Sequence, residues 1–190
     1  MRRVWVVLVI VAGLAVIGGV LGFHFGFLGR FGPSGRLGIA EGPMAHARSE
    51  FTFTVQAPLA VAFPLFGPEG ERPWAGPHWD PQFVYPIPAK DVEGAVFRVA
   101  HGHHSATWIN TAFDPQSGHA AYVYVIDGKL ATRIDVQLTP VDAAATSVRV
   151  MYERTALSPS VNEDIAEMAR ADAKMGPEWE QQIGKYLKGK

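Results

Sequence analysis

Short segments in which apolar and polar residues alternate restrict the fold of this chain more than any other feature of its sequence. The first spans residues 51–56 (FTFTVQ), where phenylalanine and valine alternate with threonine and glutamine. A period of two predicts a half-buried strand. Six further strands are predicted, at residues 82–85, 95–99, 106–113, 120–126, 132–138 and 147–154. Because short turns such as Asp127-Gly128 join successive strands, the pattern predicts an antiparallel meander.

Helical patterns precede and follow most of these strands. Residues 59–66 (LAVAFPLF) predict a short helical stretch, and residues 67–81 contain too many glycines and prolines for regular structure. After Ser158-Pro159, a favourable helix start, the apolar residues follow a helical period. That stripe contains Ile165, Met168, Met175, Trp179, Ile183 and either Tyr186 or Leu187. Gly176-Pro177 interrupts it and predicts a kink or a break into two helices. A sheet with one long helix packed across it is an α+β architecture.

The amino-terminal residues differ in character from the rest of the chain. Residues 4–28 contain no charged side chain, and an apolar run of about 20 residues can cross a membrane as a helix. We predict a transmembrane signal anchor at residues 1–28, a Gly/Pro-rich linker at 29–48 and a globular domain at 49–190. A cleaved signal peptide is the alternative. Basic residues before the apolar run favour a cytoplasmic amino end, so we expect a single-pass membrane protein with an extracytoplasmic domain.

Composition and missing motifs exclude several function classes. The formal net charge is −1, which gives no reason to expect a nucleic-acid partner. The chain contains no cysteine, and this excludes disulfides, thiolate metal ligands and a cysteine nucleophile. The sequence also lacks the motifs of serine hydrolases, zinc proteases and phosphate-binding loops. No cofactor is predicted.

Four stretches resemble the START-like superfamily, also called SRPBCC or polyketide cyclase/dehydrase and lipid transport. They are AFPLFGPEGERPW (62–74), HWDPQFVYP (78–86), FDPQSGHAAYVYV (113–125) and YERTALSPSVN (152–162). The resemblance covers roughly residues 50–187 and points to a bacterial, membrane-anchored subgroup. It implies a helix-grip fold, in which a curved, seven-stranded antiparallel sheet grips a long C-terminal helix with a cavity between them. The superfamily has no shared catalytic motif, so no functional residue is transferred from it.

Aromatic side chains are the candidates for lining that cavity. Trp74 and Trp79 stand in the breaker-rich segment, which in this fold borders the cavity mouth. They could gate the cavity or stack on a ligand, or they could cap the core, and the sequence leaves both interpretations open. The other predicted lining residues are Trp108, Tyr122, Tyr124, Met175 and Trp179. Such side chains suit an apolar pocket with a few hydrogen-bonding groups, and they suit an ordinary β core equally well.

Two groups of polar residues could carry chemistry. His101, His103 and His104 are weak candidates for a metal site, because imidazole binds zinc, copper and nickel. No carboxylate adjoins them, so an exposed hairpin turn is the preferred interpretation. Two strand faces, Arg133/Asp135/Gln137 and Arg149/Met151/Glu153, could point into the cavity or form ion pairs on the solvent face. We favour the solvent face, because unpaired buried charge is costly.

Three functions are consistent with these observations. The preferred one is a membrane-tethered binding module that holds a hydrophobic small molecule, such as a lipid or a quinone, between the sheet and the C-terminal helix. The second is a cyclase or isomerase acting on an apolar carbonyl compound, which requires a buried acid or base such as Asp135, Glu153 or a histidine. The third is a scaffold that binds a protein partner without a ligand. A non-enzymatic role is preferred.

Overall fold

The computed structural model describes residues 43–189, and these form one seven-stranded antiparallel sheet and four α-helices. The strands are β1 His46–Val55, β2 Gln82–Tyr85, β3 Val96–His101, β4 His104–Asp114, β5 His119–Ile126, β6 Leu130–Pro140 and β7 Thr146–Ala156. The helices are α1 Leu59–Ala62, α2 Pro68–Glu71, α3 Asn162–Asp172 and α4 Gly176–Lys188, and 3-10 turns cover Phe63–Phe66 and Pro159–Val161. All seven predicted strands are confirmed.

The sheet order is β1-β7-β6-β5-β4-β3-β2. Strands β2 to β7 therefore form the predicted meander, and β1 adds to its far edge through β7. Along β1 and β6 the buried side chains alternate with half-buried or exposed ones, and β7 departs from this pattern only at Met151, as expected for a sheet with one face on the core. The architecture is α+β, as predicted.

The C-terminal helical region is broken in two, as Gly176-Pro177 predicts. Helix α3 ends at Asp172, and α4 begins at Gly176 with Pro177 in its first turn. A Cβ atom at Gly176 would lie 3.1 Å from the carbonyl oxygen of Thr52, so the missing side chain lets the start of α4 approach β1 closely. The stripe of α4 then packs on β1, with the ring centroids of Trp179 and Phe51 5.2 Å apart.

The outer face of the sheet carries the two polar strand faces, which confirms the favoured orientation. Arg133 and Glu153 are cross-strand neighbours, with Nη1 3.9 Å from Oε2. Asp135 accepts a 3.0 Å contact from His119 Nε2 and lies 3.8 Å from Arg149 Nη2. These are partly exposed ion pairs, each worth under about 1 kcal/mol. Neither Asp135 nor Glu153 supplies an acid or base to the interior.

One localisation prediction is corrected. Within residues 43–189 no helix is long and apolar enough to span a membrane. The longest there is α4 with 13 residues, whereas a span requires about 20 apolar residues. This goes against the single-pass membrane localisation predicted from the sequence. The predicted anchor at 1–28 and most of the linker at 29–48 lie outside the described residues, so the domain division stays a prediction.

Candidate functional site

Two neighbouring rows of side chains run across the inner face of the sheet and place polar groups at its centre. The first row, read from β3 to β7, is Phe97, Trp108, Tyr124, Thr132 and Arg154. The second, read from β4 to β7, is Asn110, Tyr122, Ile134 and Tyr152. Directly opposed side chains on one face lie about 4.5–5.5 Å apart at Cβ. The register therefore brings the Trp108 indole, the Asn110 amide and the hydroxyls of Tyr122, Tyr124, Thr132 and Tyr152 into one band.

Aromatic rings form the walls around this band. Trp108 stacks on Tyr124 with ring centroids 4.3 Å apart, and it meets Trp79 edge-on at 5.5 Å. From the helix side, Trp179 contacts Trp74 edge-on at 5.4 Å. Each of these rings is at most 4% exposed. All seven predicted lining residues thus belong to one buried cluster, in which Met175 lies at the break between α3 and α4.

Several buried polar atoms in this interior have no hydrogen-bond partner among the described residues. From the sheet these are Trp108 Nε1, both amide atoms of Asn110, Thr132 Oγ1, His101 Nε2 and Arg154 Nε. From the helices they are Trp179 Nε1 and both carboxyl oxygens of Glu71. Leaving one buried polar group without a partner costs about 1–3 kcal/mol, so native cores hold few of them. An ordered water or a bound molecule can supply the partners that such buried atoms lack.

Glu71 is the acidic group of this interior, and it is fully buried. It ends α2, where Gly67 and Pro68 start the turn and the Asp91 carboxylate accepts hydrogen bonds from the Glu69 and Gly70 amides at 2.8 and 3.1 Å. Burial raises the pKa of Glu71 well above its usual value, and the nearby Asp91 carboxylate raises that pKa further. The Glu71 carboxyl is therefore held in its neutral form over a wider pH range than an exposed glutamate.

Two tyrosines lie near this carboxyl on the second row. The Tyr122 hydroxyl donates to the carbonyl oxygen of Phe66, which ties the sheet to the 3-10 turn before α2. Burial raises the pKa of both Tyr122 and Tyr152 well above 10, and Glu71 is among the acidic neighbours that add to this rise. Both phenols consequently stay protonated at neutral pH. They can donate a hydrogen bond, but they are not bases.

A groove of about 710 Å³ lies on the other side of the two tryptophans. Its walls are Arg72, Pro73, Trp74, Gly76, Pro77, Trp79 and Asp80 on one side and Gln182, Lys185, Tyr186 and Gly189 on the other. The indole nitrogens of Trp74 and Trp79 donate to the carbonyls of Leu65 and Pro68, both at 2.8 Å. Both rings touch the groove and the interior cluster. They lie between the groove and the polar band.

The far end of the first row is closed by a buried ion pair. Arg154 donates through both terminal nitrogens to the Asp172 carboxylate of α3, and the Ser49 hydroxyl donates to the same carboxylate at 2.7 Å. The Arg154 guanidinium also lies 4.4 Å from the ring centroid of Tyr152. The charges of this pair balance each other. The pair ties α3 to the sheet.

The histidine turn is only partly as predicted. His103 and His104 are exposed, but His101 is the last residue of β3, is 9% exposed and stacks on Tyr124 with centroids 6.0 Å apart. Burial lowers the pKa of the His101 imidazole. His101 and His104 are directly opposed across the turn, but the His101 ring is buried and those of His103 and His104 are exposed, so the three imidazoles do not form one buried cluster. Within residues 43–189 no group of three or more histidine or acidic side chains is placed to hold a metal ion.

Sequence reasoning missed Glu71, Asn110 and Thr132. The burial of Asn110 follows from the two-residue alternation that places Trp108 inside. The same alternation with Ile134 identifies Thr132. Glu71 offered no such signal, because its segment has neither a helical nor a strand period.

Comparisons with known proteins identify the fold. No family model and no curated protein matches the chain. Among solved structures, norcoclaurine synthase from Thalictrum flavum, in complex with dopamine and hydroxybenzaldehyde, matches with a TM-score of 0.56 and 10% identity, over 85% of this chain and 97% of that one. An uncharacterised protein from Rhizobium leguminosarum matches with a TM-score of 0.54 and 14% identity, over 78% and 98% of the two chains. Ara h 8.0201 matches with a TM-score of 0.54 and 14% identity, over 77% and 100%.

The chain therefore has a Bet v1-like fold, as the resemblance drawn from the sequence implies, whereas the bacterial, membrane-anchored subgroup stays a prediction because no family model matches. At these identities the similarity shows the fold alone, and function has to be argued from the site.

Proposed function

We propose that this domain binds a hydrophobic small molecule, such as a lipid or a quinone, between the inner face of the sheet and helices α2 and α4. The observation that supports the proposal is the aromatic interior, in which several buried polar atoms lack partners among the described residues. A mostly apolar ligand with one polar end would pack against the rings and satisfy some of those atoms. The site resembles small-molecule pockets in combining aromatic walls with a few convergent polar groups.

The proposed route inward leads from the groove past Trp74 and Trp79. The rings of the interior contact each other at centroid distances of about 4.3 to 6.5 Å. A ligand must therefore displace rings in order to enter. Because Trp74 and Trp79 belong to the non-sheet segment 72–81 rather than to a strand, they can move without breaking the ladder of the sheet.

Native mass spectrometry of the 190-residue chain, combined with organic extraction of the bound material, tests this function. The expected result is a stoichiometric adduct of a few hundred daltons that is apolar and disappears on unfolding. Stripped protein should regain mass when lipids or quinones are added. A clean unliganded mass, with no uptake of either class, would contradict the proposal and favour a scaffold that binds a protein partner.

A second candidate function is supported by Glu71. A neutral, buried carboxyl near a phenol can give its proton to a carbonyl oxygen while a water molecule accepts the proton that leaves the neighbouring carbon, and the resulting enol is the intermediate of a cyclase or isomerase acting on an apolar carbonyl compound. Incubation of a bound apolar ketone in deuterated water tests this function by NMR. An enzyme would exchange the hydrogens next to the carbonyl faster than buffer does, and Glu71→Gln would lose this effect. Binding without exchange would leave the protein a carrier.

A further inference from the structure

We infer that the interior site selects a neutral ligand, and that the Glu71 carboxyl and the Asn110 amide hold the carbonyl oxygen of that ligand. The inference rests on the proposed function and names the ligand chemistry of the same site. It follows from which polar groups face the interior, from their protonation and from the charges around them.

Donors predominate among the groups without a partner. The indole N–H groups of Trp108 and Trp179 can only donate, and the Asn110 amide offers two N–H bonds beside one acceptor. A protonated Glu71 adds an O–H donor. A carbonyl oxygen has two lone pairs and no proton, so it complements such a set, whereas an alkane or a plain aromatic ring leaves every donor unsatisfied.

The charge of the interior argues against an anionic ligand. Among the described residues, the buried members of the Asp, Glu, Lys and Arg classes are Glu71, Arg154 and Asp172. The charge of the only cation of the three, Arg154, is already balanced by Asp172, although its Nε has no hydrogen-bond partner within residues 43–189. A carboxylate or sulfonate would therefore lose its hydration close to Glu71 and Asp91 without gaining a free positive charge. An ion without a partner in a low-dielectric interior is costly.

A cationic ligand is disfavoured for a related reason. To pair with an ammonium group, Glu71 would have to ionise, and a buried ion pair recovers its desolvation cost only with additional well-placed hydrogen bonds. The two indole N–H groups cannot supply these to a cation, since both groups are donors. The site therefore favours a neutral ligand that binds while Glu71 is protonated.

The groups that face Glu71 set the pH dependence of binding. They are Asp91 from the segment before β3, Tyr122 on β5 and Tyr152 on β7. Arg72 is the next residue in the chain, but its guanidinium is turned to the surface, where it pairs with Glu69 and Asp80 at 2.7 and 2.6 Å. None of the three facing groups is a cation. Binding of a neutral carbonyl ligand should therefore weaken as the pH rises and Glu71 loses its proton.

Fluorescence titration of the 190-residue chain tests the inference with three dyes of similar size. Prodan is a neutral naphthyl ketone, anilinonaphthalene sulfonate is an anion and auramine O is a cation. We expect prodan to bind most tightly, with weaker binding at higher pH. Glu71→Gln should bind prodan within about threefold of the wild type and lose the pH dependence, because the amide is a neutral donor of the same size. Glu71→Leu should weaken binding about tenfold, the value of one hydrogen bond.

The outcomes separate the inference from the function on which it rests. Prodan binding that is independent of pH and equal in all three proteins would overturn the inference and leave the proposed function standing. Tighter binding of the anion or the cation would overturn it in the same way. Failure of all three dyes to bind would count against both. If Glu71→Leu does not fold, the pH dependence of Glu71→Gln decides alone, and Glu167→Gln on the exposed face of α3 controls for the loss of one carboxylate.

Discussion

Replacing Glu71 by glutamine should change how the stability of the protein depends on pH. The Glu71 carboxyl is fully buried, so its pKa in the folded protein lies well above the value of 4.5 that applies when the chain is unfolded. Between those two values the folded state holds one proton more than the unfolded state. Wild-type stability therefore falls as the pH rises through this window, by about 1.4 kcal/mol per pH unit. Below pH 4.5 the carboxyl is protonated in both states, and its contribution is fully present.

Glutamine keeps the shape of the side chain and does not titrate. The free energy of unfolding of Glu71→Gln minus that of the wild type should consequently rise with pH by about 1.4 kcal/mol per unit, starting near pH 5 and levelling off above the folded pKa. In a domain of this size that slope corresponds to about 3–6 °C in Tm per pH unit. Urea denaturation followed by tryptophan fluorescence, at half-unit steps of pH, measures it.

Taking this difference removes the contributions of other titrating groups, including His101, which acts with the opposite sign. Glu167→Gln, an exposed substitution on α3, controls for the change of net charge. Parallel pH curves for the wild type and Glu71→Gln would refute the reasoning, because they would mean that Glu71 ionises as easily in the fold as in the unfolded chain. The carboxyl would then have to reach water or a cation.

Three further substitutions test other parts of the account. Asp172→Asn leaves the buried Arg154 cation unpaired and should lower the free energy of unfolding by about 3–5 kcal/mol in urea denaturation. Burial lowers the pKa of the His101 imidazole in the folded protein below 6.5, so the free energy of unfolding of the wild type falls as the pH drops from about 6.5 to that folded pKa. His101→Gln should abolish this loss of stability in acid. Gly70→Ala should destabilise strongly in thermal melts, because its Cβ would overlap a backbone carbonyl six residues earlier, whereas Gly184→Ala meets nothing within 4 Å and should be neutral or stabilising.

Each of these substitutions has a matched control on the surface. Glu153→Gln removes a partner of the Arg133 pair at 3.9 Å on the outer face and should cost under about 1 kcal/mol. A similar loss for Asp172→Asn would mean that the interior pair is hydrated. His104→Gln lies across the turn from His101 on an exposed position, and equal pH profiles for the two variants would contradict the burial of His101.

The sequence predicts the fold well because the alternation of strand residues is a local property. Each of the seven strands overlaps its predicted range, and Gly176-Pro177 divides the C-terminal helices where the pattern breaks. The outward direction of Asp135 and Glu153 also follows from alternation with buried neighbours.

The polar centre of the site could not be predicted to the same extent. The direction of Glu71 depends on contacts distant in sequence, above all the Asp91 carboxylate that caps α2. In a four-residue helix flanked by glycine and proline, no periodicity says which side chain turns inward. His101 was misread for the opposite reason: it belongs to the alternation of β3, but the neighbouring histidines and glycine indicated a turn.

The four tryptophans of the described residues allow a direct measurement of where a ligand binds. The indole N–H groups of Trp74 and Trp79 are already bonded to backbone carbonyls, whereas those of Trp108 and Trp179 have no partner among residues 43–189. Indole resonances in a ¹⁵N-labelled sample should be followed during titration with prodan. Binding in the interior predicts larger shifts of the Trp108 and Trp179 indole resonances than of those of Trp74 and Trp79. Shifts confined to Trp74 and Trp79, or none at all, would contradict a ligand site between the sheet and the helices.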